Sequence, residues 1–429
     1  MADASLLIRG GRLIDPASRL DAPLDLLIEK GLVRRVGPDL KPPPRVPVLD
    51  AAGLVVAPGF IDAHVHLREP GFEYKETLAT GAAAAAAGGM CAVAAMPNTN
   101  PPPDTGQRMA EALARAKGSL VRVYPIGCIT LGRQGGALAP LEELARAGAV
   151  AFSDDGDPVA DEGLMRRALE LGRRLGIPLA PHEEVKALTT GGCMHEGQVS
   201  ARLGVKGMPS AGEEKMIARD LELVRQTGGP LHLIHISTAG TVELVRRAKE
   251  AGLPVTCEVL THHFVLTDEE VERQGAQAKM SPPLRGRADV EAMRRGLAEG
   301  VIDTIATDHA PHSAEEKSRP LAQAPFGIVG LETAVGLTLT YLVHAGVLDL
   351  AAAIEKWTWA PARILRLPGG HLSPGGLGDA TIIDLNKEWT VDASRFRSKS
   401  RNTPFSGYKL RGKAVATVVG GKVVYSELA

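Results

Sequence analysis

The chain has 429 residues, enough for two or three ordinary domains or for one large barrel with an appendage. Hydrophobic residues make up 44% and aromatics only 3%, so a sizeable core has to rest on Ala, Val, Leu and Ile. Lys plus Arg number 49 against 50 Asp plus Glu, and a formal charge of -1 gives no electrostatic reason to expect a nucleic-acid partner.

Residues 1 to about 55 read as short β segments: "SLLIRGGRLID" as two strand-like runs around a Gly-Gly turn, and "DLLIEKGLVRRVG" as a second hairpin. The other end is similar, with "DATIIDLNKEWTV" and "KAVATVVGGKVVYS" again β-rich around a Gly-Gly turn. The two flanks predict one small β-sandwich domain built from residues 1–55 plus 370–429, around a different middle at 56–369.

In that middle, strand-like runs alternate with helical ones. The strands are "LVVAPGFIDAHVHL", "MCAVAAMPN", "VRVYPIGCI", "AVAFSDDG", "IPLAPHEE", "LHLIHIS", "PVTCEVLTHH" and "VIDTIATDHAPH". The helices between them include "LMRRALELGRRLG", "KMIARDLELVRQTGG" and "VEAMRRGLAEG", whose Arg-rich faces read as solvated. Eight strands interleaved with helices predict a parallel (β/α)8 TIM-like barrel, an α/β fold. An open doubly wound sheet is the alternative, but no GxGxxG or GxxxxGK[ST] loop supports it. The small-residue run Gly81–Gly89 reads as a helix too short to span a bilayer. Without an N-terminal secretory core or a long apolar stretch, the expectation is a cytoplasmic protein with no membrane partner. Cys91, Cys128, Cys193 and Cys257 form no CxxC pair, and Cys91, Cys128 and Cys257, in apolar strand-like runs, read as buried reduced thiols.

In a barrel enzyme the chemistry sits at the C-terminal ends of the strands. Here the first run ends in His64 and His66, the second in Asn98, the fourth in Asp154 and Asp155. The fifth, sixth and eighth end in His182, His235 and Asp308. In an extended strand residues two apart share a face, so His64 and His66 project side by side, with Arg68 beside them if the strand geometry continues. Each feature alone has a bland reading: two half-exposed histidines, an Asp-Asp-Gly turn, a core histidine, a polar loop. Jointly they converge on one mouth. Imidazole nitrogens with carboxylates and no thiolate suit zinc, and also manganese or iron, and the donors exceed one tetrahedral site. Among the other histidines, His195, His344 and His371 read as surface or loop. His232 has the parity opposite to His235 and should point away, and His262, His263 and His309 are expected to orient ligands.

Together "PGFIDAHVHLREPG", "MPNTNP", "AFSDDGDP", "PHEE", "HISTAGTVELV", "IATDHAPH", "PFGIVGLETA" and "SKSRNTPFSGYKLRGKAVATVVGGKVV" resemble dihydroorotase of the long bacterial class I type, in the amidohydrolase superfamily. The resemblance covers essentially the whole chain. It implies a zinc enzyme with two ions per subunit: His64, His66 and Asp308 on one, His182 and His235 on the other. Asp155 would bridge them, where many relatives use a carboxylated lysine. Spacing does not choose between Asp154 and Asp155; that choice rests on the family. His66, Arg68, Asn98, Ser281, His312, and the backbone of Phe326 and Gly327 would bind substrate, with Ser281 standing where the family usually has asparagine. The implied reaction is reversible hydrolysis of (S)-dihydroorotate to N-carbamoyl-L-aspartate, which runs as a cyclisation in pyrimidine (UMP) biosynthesis. Asp308 would be the proton carrier and a homodimer the expected assembly. Gly-rich "GCMHEG" and "RLGVKGMPSAGEE" are candidate entry segments. The alternatives are another cyclic amidohydrolase, a hydantoinase or allantoinase, and a non-catalytic scaffold for aspartate carbamoyltransferase. An active enzyme could bind that partner as well.

Overall fold

The computed structural model describes residues 4–428; residues 1–3 and 429, the outer ends of the terminal domain expected from sequence, lie outside the described residues. The architecture is α/β with mixed sheets. One sheet is made from both ends of the chain, in the order Lys422–Ser426, Lys409–Val419, Ala380–Thr390, Val55–Pro58, Leu6–Asp15, Leu20–Glu29, Leu32–Gly37, with Val48–Asp50 pairing alongside Leu6–Asp15. Alternation drives it: Leu6, Ile8, Leu26, Ile28, Val56 and Val418 point into one shared cluster, each such burial stabilising by about 1.5–3 kcal/mol.

One sequence expectation fails here. Gly10-Gly11 is not a turn: Leu6–Asp15 is a single strand with a register shift between Ile8 and Gly11. Gly10 has φ +76 and donates its N–H to Asp25 Oδ1 at 2.9 Å, and a Cβ on Gly11 would come 2.6 Å from Val56 Cγ2. The glycines therefore allow a bulge and a close strand approach rather than a reversal. The hairpins at Lys30-Gly31 and Gly420-Gly421 are turns as expected, with positive φ at both residues of each.

The first expected barrel strand is divided. Val55–Pro58 pairs with the terminal strands, and Phe60–Val65 begins a parallel set with Met90–Ala95 and Arg122–Pro125. The set continues through single parallel bridges, Gly127 to Phe152, Phe152 to Leu179 and Leu179 to Leu231. It then runs through Leu231–Leu233, Val255–Leu260 and Thr304–Ala306, and a bridge from Val65 to His309 meets the first strand again. The fourth and fifth expected strands are thus no more than bridge residues. Pro178 and Pro181 flank Leu179 without an N–H to donate, and the chain turns sharply after Phe152, so longer ladders cannot form there.

Helices follow the strands, among them Leu78–Ala87, Glu162–Leu175, Ala211–Thr227, Ala239–Glu250 and Arg287–Ala298. Their apolar faces join the outward side chains of the parallel set in the largest core, which includes Val93, Phe152, Leu169, Val245 and Met293. Among the described residues no helix is long and apolar enough to cross a membrane. All four cysteines are buried and free.

Candidate metal centre

Every donor singled out in the sequence lies at or just past the C-terminal end of a parallel segment. His64 and His66 follow from the register shift between Asp62 and Val65. Before it Ile61 and Ala63 face one apolar cluster; after it Val65 and Leu67 face another, which turns the two histidines toward the mouth. His235 and Asp308 have positive φ, 39° and 45°, sparsely populated conformations for such residues and a concentration of backbone strain at one site.

Two donor groups form, His64, His66 and Asp155 in one and Asp155, His182 and His235 in the other, with ligand atoms in each within 4.8 Å of one another. Asp155 is common to both. Its Oδ1 lies 3.3 Å from His235 Nε2 and 3.6 Å from His182 Nδ1, and its Oδ2 3.4 Å from His66 Nε2. Asp308 Oδ1 is 2.8 Å from His66 Nε2 and 3.4 Å from His64 Nε2. Asp154, the alternative left open by spacing, is outside both groups, accepting the N–H groups of Ile129 and Thr130 and the Thr130 hydroxyl.

These residues fit a bound cation. His64 Nε2 is buried with no hydrogen-bond partner, and the ring nitrogens His182 Nδ1 and His235 Nε2 face each other at 3.0 Å. Unpartnered or mutually facing imidazole nitrogens around carboxylate oxygens need something positive between them. Two of the far nitrogens are already committed, as is usual for metal-binding histidines, whereas His66 Nδ1 is buried without a partner. His64 Nδ1 donates to Glu258 Oε1 at 2.7 Å and His182 Nε2 to Glu184 Oε2 at 3.1 Å.

Electrostatics match that geometry. Burial opposes charge on His64 and His182, but Asp308, Glu258 and Asp155 outweigh it for His64, pushed up to about 10. Asp155 and Glu184 do so for His182, pushed up to about 9. Burial also works against Asp155 and Asp308, yet the surrounding histidines hold both well below the usual carboxylate range. Asp62 is different: burial lifts it to about 7 despite bonds from Thr307 and the His64 N–H.

Beside the donors opens a cavity of about 470 Å³, lined by every residue expected to bind substrate: His66, Arg68, Asn98, Ser281, His312, Phe326 and Gly327. Strand geometry does not persist to Arg68, whose φ is +62, but the turn still delivers it to the cavity. The surface pairings that would have explained Arg68 are absent: Glu69 accepts from Leu78 N–H and Glu73 from Gly71 N–H, while Arg68 Nε donates to the Pro311 carbonyl at 3.3 Å. Asn98 Nδ2 donates to the Asp155 carbonyl at 2.7 Å, leaving its buried Oδ1 unpartnered. Gly327 is largely committed, its N–H to the Lys279 carbonyl at 2.9 Å and its carbonyl to Asn402 Nδ2 at 3.0 Å. Its contact with a ligand is reduced to the second lone pair of that carbonyl. Gly192 and Met208, one from each expected entry segment, also line the cavity.

Three histidines depart from expectation. His262 has both ring nitrogens unpartnered, His263 Nε2 bonds the Pro282 carbonyl, and His309 Nε2 bonds Glu76; none of the three rings hydrogen-bonds a donor of the two groups, and His309 reaches them only through its carbonyl, which accepts the His66 N–H at 2.9 Å. His232 does point away from the donors, but its Nε2 is 3.3 Å from Glu258 Oε2, so it steadies the carboxylate that orients His64. Sequence reading missed Glu258 and Glu184. The available signals were a lone charge inside the apolar run "VTCEVL" and a carboxylate two residues past His182.

Comparison with known proteins gives a consistent picture. A family profile described as dihydro-orotase-like matches residues 53–241. The chain is 52% identical over 422 residues to the dihydroorotase of Citrifermentans bemidjiense, spanning 98% of this chain and 99% of that one. It is 51% identical over 425 residues to the dihydroorotase of Anaeromyxobacter dehalogenans, with 98% of each chain covered. Among solved structures it is similar to the L-hydantoinase (dihydropyrimidinase) of Arthrobacter aurescens, with a TM-score of 0.89 and 27% identity, covering 100% of this chain and 97% of that one. The D-hydantoinase (dihydropyrimidinase) of a Thermus species gives a TM-score of 0.86 at 27% identity, covering 98% and 95%.

Proposed function

This chain belongs to the dihydroorotase family of metal-dependent cyclic amidohydrolases, and from that premise we propose that it hydrolyses (S)-dihydroorotate reversibly to N-carbamoyl-L-aspartate on two zinc ions. His64, His66 and Asp308 would hold one ion, His182 and His235 the other, with Asp155 shared. The observation that carries the proposal is the Asp155 carboxylate between two histidine pairs, with the Arg68 guanidinium in the same cavity.

The cations, when bound, polarise the ring carbonyl and acidify a water enough to attack at neutral pH. The chain's residues supply the rest. Arg68 offers a planar fork to the substrate carboxylate, a charge-assisted contact that a neutral hydantoin or allantoin could not return. Burial lowers Arg68 to about 10, still fully charged at neutral pH. Asn98, with its donor spent on Asp155, presents an acceptor that suits a ring N–H rather than the carboxylate. Ser281, His312 and the backbone of Phe326 complete the pocket, with the Gly327 carbonyl at its edge. Asp308, held ionised by His64 and His66, is poised to take a proton from the attacking water. As the carbonyl carbon gains the water oxygen and the ring C–N bond breaks, Asp308 delivers that proton to the departing nitrogen. A positioned group of this kind contributes ~10²–10⁴-fold. Ring closure uses the same groups in reverse.

The parallel pairings read as a (β/α)8 barrel over 56–369, and the terminal sheet as a β-sandwich domain from 1–55 and 370–429. The homodimer, association with aspartate carbamoyltransferase and cytoplasmic setting belong to this proposal through the family resemblance. A purely scaffolding chain has no use for two donor groups sharing Asp155, and that grouping, with Asp308 beside His66, supports the catalytic reading. The test is parallel assay of the purified protein, before and after zinc, on dihydroorotate, hydantoin and allantoin, together with metal analysis. Dihydroorotate turnover at two zincs per chain is expected; preference for a neutral ring, or no turnover after zinc, would overturn the reading.

A further inference from the structure

Outside the metal centre, one segment reaches the cavity loops from an unexpected direction. Arg397–Asn402 precedes the last long strands of the terminal sheet, yet it lies against the loops that follow the first and last parallel strands. Glu332 accepts the N–H groups of Arg397 at 2.8 and 2.9 Å and of Ser398 at 3.1 Å. Glu76 accepts the Lys399 N–H at 3.0 Å and the Ser398 hydroxyl, and Ser400 Oγ donates to the Lys75 carbonyl at 2.7 Å. These contacts fix the strap; its end does something different.

Asn402 is 3% exposed and uses its whole side-chain amide on the substrate loops. Its Oδ1 accepts the His312 N–H at 3.0 Å, and its Nδ2 donates to the carbonyls of Ala310 at 2.9 Å and Gly327 at 3.0 Å. Its own carbonyl accepts the Val329 N–H at 2.9 Å. Ala310, His312 and Gly327 all line the cavity, whereas Asn402 does not. Among the described residues no other side chain hydrogen-bonds both His312 and Gly327, and Gly327, at φ +150, sits so close that a Cβ would meet His312 Cδ2 at 2.7 Å. Their spacing is therefore set from behind, by a planar group with a fixed donor and acceptor geometry.

We infer that Asn402 is a positioning residue for substrate: through Ala310, His312 and Gly327 it fixes the part of the cavity wall that follows Asp308 in the chain, and so governs affinity for the carboxylated ring. This rests on the dihydroorotate reading above. None of its three side-chain partners is a metal donor, so metal content and the chemical step should be nearly independent of it.

Asn402→Asp keeps the shape but sets a carboxylate oxygen against two carbonyls; Asn402→Ser is neutral and leaves them unpaired. For both, KM for dihydroorotate should rise about tenfold or more and the inhibition constant of orotate should rise in parallel, with kcat within about threefold and zinc content unchanged. Ser400→Ala, which loosens the strap at the Lys75 carbonyl but leaves the bonds from Asn402 to Ala310, His312 and Gly327 in place, should keep KM within about twofold; this separates positioning from general loosening. Should Asn402→Asp fail to fold, Asn402→Ser carries the same readouts. A wild-type KM in the folded variants, an equal KM rise in Ser400→Ala, or a KM rise that added zinc abolishes would overturn the inference. Absence of dihydroorotate turnover in the wild-type protein would instead overturn the proposed function.

Discussion

Glu258→Gln is the sharpest test of how the metal centre is built. Glu258 is fully buried, with one oxygen 2.7 Å from His64 Nδ1 and the other 3.3 Å from His232 Nε2. The two histidines hold it near 2 even though burial alone would raise it. The substitution keeps size and one acceptor but removes the charge and turns an NH2 toward one of the imidazoles. Downgrading a charge-assisted hydrogen bond to a neutral one costs about 1–2 kcal/mol. Loss of a carboxylate that orients a ligating histidine weakens metal binding ~10–100-fold, or about 1.4–2.8 kcal/mol. The two routes agree, so the zinc dissociation constant should rise ~10–100-fold. Competition against a chromogenic chelator measures it, with far-ultraviolet circular dichroism to confirm the fold. A folded Glu258→Gln protein that binds zinc within threefold of wild type would refute the idea that this carboxylate orients His64.

Arg68→Ala should raise KM for dihydroorotate about 10–100-fold, the worth of one charge-assisted pair, while zinc content stays intact by metal analysis. At pH 7 the metal-free protein should release at least two protons on zinc uptake, because His64 and His182, pushed up to about 10 and 9, must both deprotonate and the acidified water adds to them. Calorimetry in buffers of differing ionisation enthalpy reads that number, which should shrink toward pH 10. Lys317, buried and pushed down to about 7 from 10.5, binds its proton more weakly folded than unfolded. Its charging cost is constant below about pH 7 and disappears between 7 and 10.5, so stability rises with pH there, by an amount on the order of a few kcal/mol. Denaturant unfolding of Lys317→Met across pH 6–10 should show a flatter profile than wild type; identical slopes would exclude the effect.

What was legible in the sequence followed from local pattern. Apolar runs ending in His or Asp located each parallel segment and nearly every donor, because strand periodicity and position in a strand are local properties. What was lost depended on partners distant in the chain. Gly10-Gly11 looked like a hairpin because its reason for being glycine is Val56, across the sheet. Asp154 and Asp155 are adjacent, and Ile129 and Thr130, which claim Asp154, separate their surroundings. Glu258 and Asn402 act on residues 194 and 90 positions away, His64 and His312 respectively, and no spacing rule reaches that far. The fifth strand was overestimated because its apolar run outweighed the Pro178 and Pro181 that interrupt donation, and the fourth because the run does not show the chain turning after Phe152.

The strand Val55–Pro58 lies between Leu6–Asp15 and Ala380–Thr390, whose Ala380 pairs with Pro58. A ribosome adding about 5–20 residues per second needs roughly 15–65 s to travel from one to the other. Any N-terminal β-sheet that forms in that interval has a bare hydrogen-bonding edge at Val55–Pro58. The protein's exposure to mispairing in the cell is thus greatest before its own late strands emerge to seal the gap.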